Sequence, residues 1–267
     1  MANIGLHIRL QHTMTAVAQK AIALKLPYFQ TFVINASGHF FVPTTTDKKK
    51  FLELRPQFGP LFLHSSYWIN CASSSPNILF LLNRELRLAH SLAFNFYVVH
   101  PGATKQKDSD KRFNFLVQNL ETISKRYPHI TILLENTAHA RNAIGSSIEE
   151  LGIIAQKLTM LNVGFCIDTA HAFSYGYDLT TPTHMQKFVN LIDQKIGLER
   201  VKLIHFNNTT QACGSRIDQH SITTRGAISQ ESLAYLLRTL PDKSFVAELP
   251  PLTTDKERNI LDVIRQW

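Results

Sequence analysis

Nine residues of this chain carry metal-binding or proton-handling side chains at, or just after, the ends of short apolar runs. His64 ends Leu61-Phe-Leu-His, His100 ends Tyr97-Val-Val-His, and Glu135 ends Ile132-Leu-Leu-Glu. Asp168 ends Phe165-Cys-Ile-Asp, with His171 three residues on; His205 ends Leu203-Ile-His. Asp218 and His220 follow in Gly214-Ser-Arg-Ile-Asp-Gln-His, and Glu248 ends Val246-Ala-Glu. A single polar residue after a strand is ordinarily a helix cap. Six successive runs that all end in His, Asp or Glu need another reason. Carboxylates crowded together repel one another and desolvate poorly, and divalent cations remove that conflict. Five His and four carboxylates exceed the three protein ligands of one catalytic zinc, so the set suits two or three ions with a bridging carboxylate. Imidazole with carboxylate is compatible with Zn, Mn, Fe or Co. Cys71, Cys166 and Cys213 stand outside these positions and form no Cys-x-x-Cys pair, so a thiolate zinc site is not expected.

The elements that must position these residues alternate along the chain. β-branched and aromatic runs at 4–8, 28–34, 61–64, 96–100, 131–135, 163–168, 201–207 and 244–248 read as strands. Helical spacing appears between them, as in 109–127 with Phe113, Leu116, Val117 and Leu120, and in 147–161 with Ile148, Leu151, Ile154 and Ala155. Ser146 or Ser147 ahead of Glu149 and Glu150 marks a helix start, as do Ser229 and Thr254. Eight strand–helix units predict a single (β/α)8 TIM barrel over residues 1–267, in which every strand end converges on one mouth. An open dinucleotide-binding sheet would need a Gly-rich first turn. Here that turn is Gly5-Leu-His-Ile-Arg-Leu-Gln, and neither GxGxxG nor GxxxxGK[ST] occurs.

Composition narrows the function classes. The 267 residues are 44% hydrophobic and 18% charged, which suits a folded domain rather than a disordered chain. Apolar runs such as Ile78–Leu82 are far shorter than the roughly 20 residues that span a bilayer, so no membrane association is expected. Met1-Ala-Asn-Ile-Gly lacks a charged segment followed by an apolar one, and three scattered cysteines do not form a disulfide framework. An intracellular, reducing compartment is therefore expected. The net charge of +8 points to a polyanionic partner.

The strings His64-Ser-Ser-Tyr-Trp-Ile-Asn, Val99-His-Pro-Gly, Leu134-Glu-Asn-Thr-Ala, Cys166-Ile-Asp-Thr-Ala-His-Ala-Phe-Ser-Tyr-Gly-Tyr-Asp-Leu, Ile204-His-Phe-Asn-Asn and Gly214-Ser-Arg-Ile-Asp-Gln-His resemble the endonuclease IV family. Those proteins are DNA-repair apurinic/apyrimidinic (AP) endonucleases with a barrel and three zinc ions. The resemblance runs in order from strand 3 to strand 8, and the Asp168–Leu179 string is its most specific part. It implies that His64 and His100 hold one ion, that Glu135 bridges to a second held by Asp168, His205 and Glu248, and that His171, Asp218 and His220 hold a third. It makes Glu135, Asp168 and Glu248 the catalytic carboxylates. The implied reaction is zinc-dependent hydrolysis of the phosphodiester 5′ to an abasic site in double-stranded DNA, by a monomer, with trimming of blocked 3′ ends as a second activity. A metal-dependent sugar isomerase or epimerase on a related barrel is the alternative, but it gives no purpose to a third site at His171, Asp218 and His220.

Departures from the family pattern bear on DNA binding. Ser37 and Gly38 stand where the family has an Arg and a Gln that enter the DNA stack, and Trp68 follows Tyr67 where an aliphatic residue is usual. Tyr67 and Trp68 are candidate DNA contacts, since an aromatic side chain there can stack on an opened base step. Asn208 replaces an Asp, and His139 and Arg141 intrude into a Gly-rich turn. Lys105 and Lys107, after strand 4, and Arg216, beside Asp218, are candidate phosphate contacts. His7 is worth attention because it ends strand 1 on the reactive face. With four acids assigned to metals, 28 basic residues face 16 acidic ones, a balance of +12 around a cation-filled mouth.

Overall fold

Side chains along a strand point alternately to its two faces, and in this chain both faces are buried against different partners. A computed structural model describes residues 3–34, 38–106, 108, 111–139, 142–159 and 162–267. Its strands are β1 (Ile4–His7), β2 (Phe29–Phe32), β3 (Phe62–His64), β4 (Phe96–Val99), β5 (Thr131–Glu135), β6 (Val163–Asp168), β7 (Val201–His205) and β8 (Ser244–Ala247). All pair in parallel, in chain order, and β8 returns to β1 to close the eight-stranded barrel that the sequence predicts. Ser37, Lys107 and Arg141 lie outside the described residues.

The outward set, including Leu63, Tyr97, Val99, Ile132, Leu134, Phe165 and Ile167, packs against the surrounding helices in the main core. These are α1 (Met14–Ala23), α2 (Thr45–Leu54), α3 (Asn77–Ser91), α4 (Asn114–Arg126), α5 (Ile148–Lys157), α6 (Thr169–Tyr175), α7 (Pro182–Lys195), α8 (Gln230–Thr239) and α9 (Thr254–Ile264). The longer helices present an apolar stripe of helical period, such as Ile78, Leu82, Leu86 and Ala89 on α3 or Leu116, Leu120 and Ile123 on α4. Among the described residues, no helix is long and apolar enough to cross a membrane.

Ser147 caps α5 by accepting from the Glu150 N–H, and Ser229 caps α8 by accepting from the Ser232 N–H. The final helix starts one residue earlier than its sequence suggests. Thr253, in extended backbone, accepts from the Lys256 N–H, so Thr254 is already helical. Helix α4 begins at Asn114 rather than near residue 109, with no side-chain cap at Phe113. A further difference is that two helices follow β6. The first, α6, starts immediately because Asp168 is both the last residue of the strand and the N-cap of the helix.

Candidate metal centre

The barrel interior is built in two layers. Phe62, Val98, Leu133, Cys166, Leu203 and Val246 form a buried apolar cluster with Tyr28. Each of those six lies two residues before His64, His100, Glu135, Asp168, His205 or Glu248, so a period of two puts the polar set directly above the apolar one. Tyr28 spans the lower layer: its hydroxyl donates to Asn3 O at 2.7 Å and accepts from Phe245 N at 2.9 Å. A Cβ on Gly5 would stand 2.6 Å from the Tyr28 ring, so that crossing requires glycine there.

Glu135 is the centre of the upper layer. Its Oε2 lies 3.0 Å from His64 Nε2 and 3.2 Å from His100 Nε2, while Oε1 lies 2.8 Å from His205 Nδ1. One carboxylate thus faces two groups, an oxygen to each. Around the second oxygen, His205 Nδ1 is also 3.6 Å from Glu248 Oε2 and 3.8 Å from Asp168 Oδ2. A third group forms on α6 and the loop after β7. There His171 Nε2 is 3.1 Å from Asp218 Oδ1, and His220 Nε2 is 3.8 Å from the same atom and 3.4 Å from Asp168 Oδ2. Ligand atoms of His64, His100 and Glu135 lie within 4.8 Å of one another, as do those of Glu135, Asp168, His205 and Glu248, and those of Asp168, His171 and His220.

Hydrogen bonds from the non-facing nitrogens identify the ring atoms that offer lone pairs. His64 Nδ1 donates to Ser65 O at 3.0 Å and His171 Nδ1 to Asn136 O at 2.9 Å, leaving both Nε2 atoms turned toward carboxylates. Lone pairs that face carboxylate oxygens at these distances need a proton or a cation between them. The donor set therefore fits divalent ions. Without them, protons must serve. Burial opposes charge on His205, but Cys166, Glu135 and Glu248 hold its pKa well above the usual imidazole value. Against the same burial, Asp168, Asp218 and Glu135 raise His171. Burial would push the Glu135 carboxyl up, yet His205 and His100 hold it well below its ordinary value. Burial also opposes ionisation of Asp218, but His171 and His220 outweigh it and bring the carboxyl down to about 2.

Amides complete the layer. Asn207 Nδ2 donates to Asp168 Oδ2 at 2.6 Å and to Glu248 Oε2 at 3.1 Å, and Asn136 Oδ1 accepts from Asp168 N at 2.7 Å. Gln30 enters from β2 beside His7, whose Nδ1 is 2.9 Å from Glu248 Oε1. Sequence reading flagged His7 but missed Gln30, Asn136 and Asn207. The signal that could have found Gln30 was strand period, which puts it two residues after the inward Tyr28.

The candidate DNA contacts divide. Tyr67 lines the cleft with His7, Arg9, Phe32 and the polar layer, and is 71% exposed. Trp68, 67% exposed, stands beside it. Their loop is held from beneath, because Ser66 Oγ donates to buried Glu85 at 2.6 Å and the Asn70 side chain clasps Ala103 through both N–H and C=O. Arg9, an exposed cation in the cleft lining, was missed by the sequence reading. Lys105 is exposed on the loop after β4. Arg216, at φ 61°, stacks its guanidinium 3.7 Å over the Tyr175 ring instead of pairing with Asp218. Asn208 braces the long loop after β7, with Nδ2 donating to Thr223 O and Ile228 O, a role that an ionised Asp could not fill.

This barrel and its polar mouth define a xylose isomerase-like TIM barrel, and the family model of that description matches residues 20–266. Within that class, the chain belongs to the endonuclease IV family. It is 31% identical to "Probable endonuclease 4" of Natranaerobius thermophilus, over 94% of this chain and 93% of the relative. The protein of the same name from Thermosipho africanus is 30% identical over 99% and 98%. The crystal structure of endonuclease IV from Thermus thermophilus superposes with a TM-score of 0.85 at 27% identity, covering 99% of this chain and 98% of that one. A D-tagatose 3-epimerase-like protein shares the fold, with a TM-score of 0.73 at 19% identity over 100% and 99% of the two chains.

Proposed function

We propose that this protein is a zinc-dependent DNA-repair endonuclease that hydrolyses the phosphodiester 5′ to an abasic site, leaving a 3′-hydroxyl and a 5′-deoxyribose phosphate. The observation that carries this reading is the inward turn of buried imidazole lone pairs onto carboxylates in three adjoining groups, the third built from His171, His220 and Asp218. His64, His100 and Glu135 would hold one divalent ion, Glu135, Asp168, His205 and Glu248 a second, and His171, Asp218 and His220 a third. Bound there, the ions would supply Lewis acidity and a neutral-pH source of hydroxide.

The chain's own residues do the rest. Ser65 O and Asn136 O hold the His64 and His171 rings in one tautomer. The Glu85 and Asn70 anchors hold the loop of Tyr67 and Trp68 at the rim, where their rings would stack on bases of a duplex opened at the lesion. Arg9 and Lys105 bring cations to the backbone, and Lys107 is assigned the same role from its sequence position. The same reading includes 3′-end trimming, a monomeric enzyme folded as one barrel domain, and an intracellular, reducing location for its free Cys71, Cys166 and Cys213.

The deciding experiment is incision of an end-labelled duplex carrying one abasic analogue, with and without chelator. Cutting on the 5′ side with a 3′-hydroxyl product, abolished by chelation, is expected. No incision by the metal-loaded protein, together with turnover of a ketose, would transfer the chain to the sugar epimerases.

A further inference from the structure

Gln30 is fully buried, faces inward from β2 at the level of His7, and belongs to none of the expected ligand groups. Its amide ends reach two different members of one group. Nε2 lies 2.7 Å from Glu248 Oε1, and Oε1 lies 2.9 Å from His205 Nε2. His7 Nδ1 packs against the first contact, 2.8 Å from Gln30 Nε2 and 2.9 Å from Glu248 Oε1.

The chemistry of these contacts leaves one arrangement. An ionised carboxylate is acceptor-only, so the amide end beside Glu248 is the NH2. The opposite end is then the carbonyl oxygen, which accepts, so His205 Nε2 must carry a proton. With a cation rather than a second proton at Nδ1, the imidazole is neutral and has one N–H, which places the His205 lone pair on Nδ1. That atom is the one facing Glu135 Oε1 at 2.8 Å, Glu248 Oε2 at 3.6 Å and Asp168 Oδ2 at 3.8 Å. The same amide occupies Glu248 Oε1 and leaves Oε2 turned toward His205 and His220.

We propose that Gln30 is a positioning residue for the cation held by Glu135, Asp168, His205 and Glu248, selecting both the His205 tautomer and the Glu248 oxygen offered to the ion. This rests on the metal-dependent reading above and deepens it. An apolar side chain at residue 30 would leave Glu248 Oε1 and His205 Nε2 buried without those partners. A carboxylate there would keep the acceptor for His205 but oppose Glu248.

The test uses the full-length, zinc-loaded protein and its Gln30→Leu and Gln30→Glu variants. Two quantities are read: the rate at which each zinc equivalent is lost to a chelator, and the 15N signals of the His205 ring. Gln30→Leu should release one equivalent about ten- to a hundredfold faster than wild type, with the others unchanged. It should also lose the Nε2–H, Nδ1–metal signature of His205, which Gln30→Glu retains. Wild-type release rates and unchanged His205 signals in Gln30→Leu would overturn the proposal. So would faster loss of all equivalents with a lowered Tm, which would make Gln30 a packing residue. A wild-type protein that binds no zinc at all would instead sink the metal-dependent reading itself.

Discussion

The two layers of the barrel interior share strands and faces, yet they carry opposite chemistry. In the lower, Phe62, Val98, Leu133, Cys166, Leu203 and Val246 fill space against Tyr28. In the upper, two residues further along six of the strands, donors and acceptors crowd around Glu135. A fold needs the first layer for stability. The second, with carboxylates and imidazoles forced together out of water, costs stability unless something binds among them. The contrast separates what holds the barrel shut from what the barrel holds.

A second pair of buried carboxylates draws the same distinction. Glu135 is 1% exposed and Glu85 is 0% exposed. Imidazoles surround Glu135 and hold its pKa well below the usual range despite burial. Glu85, behind the barrel wall, meets hydroxyls instead: Ser66 Oγ and Tyr97 OH, each donating at 2.6 Å. Burial prevails there and raises its pKa, although the bonds from Ser66 and Tyr97 oppose it. Burial alone therefore does not mark a functional carboxylate; the partners decide.

Substitutions can break this comparison from either side. The largest effect is expected from Glu135→Gln, which removes the charge shared by two groups. It should lower single-turnover incision by about 10³-fold or more, since metal sites supply several kcal/mol to such reactions. A wild-type rate in that variant would refute the bridged arrangement. Phe62→Ala probes the lower layer and should cost about 3–5 kcal/mol in urea unfolding while leaving metal content intact. Unaltered stability there would mean the apolar layer is not what closes the barrel.

Smaller effects sharpen the picture at its edges. Trp68→Ala, at the rim, should weaken binding of an abasic duplex by about 1–3 kcal/mol without changing metal content. Unchanged affinity would assign Trp68 to the loop rather than to DNA. The smallest effect concerns Glu85 and pH. Its folded pKa is raised above the ordinary 4.5. The stability of its protonated form is thus complete below about pH 4.5 and is lost as pH rises through the folded value. Glu85→Gln cannot ionise, so its unfolding free energy should vary less with pH across that window. Parallel curves for variant and wild type would show that the carboxyl does not titrate differently on folding.

Much of this organisation was legible in the sequence because it repeats locally. Each of the eight strands announces itself as an apolar run, and from β3 to β8 the His, Asp or Glu that ends the run is the residue turned into the mouth. What escaped notice depends on contacts across the barrel. Gln30 reads as an ordinary polar residue near the start of β2. Its partners, His205 and Glu248, are 175 and 218 residues away. Asn207 ties Asp168 to Glu248 in the same way. Arg216 has left-handed backbone and stacks on Tyr175, neither of which periodicity reveals. The sequence marks Thr254 as the start of α9, but the extended backbone belongs to the adjacent Thr253, which is the cap.

Metal stoichiometry tests the central claim most directly. Elemental analysis of the purified full-length protein, by mass spectrometry against amino-acid quantitation, should return close to three divalent equivalents per chain, predominantly zinc. One equivalent or none, in protein that is folded and has never met a chelator, would contradict the account of the upper layer as a metal centre.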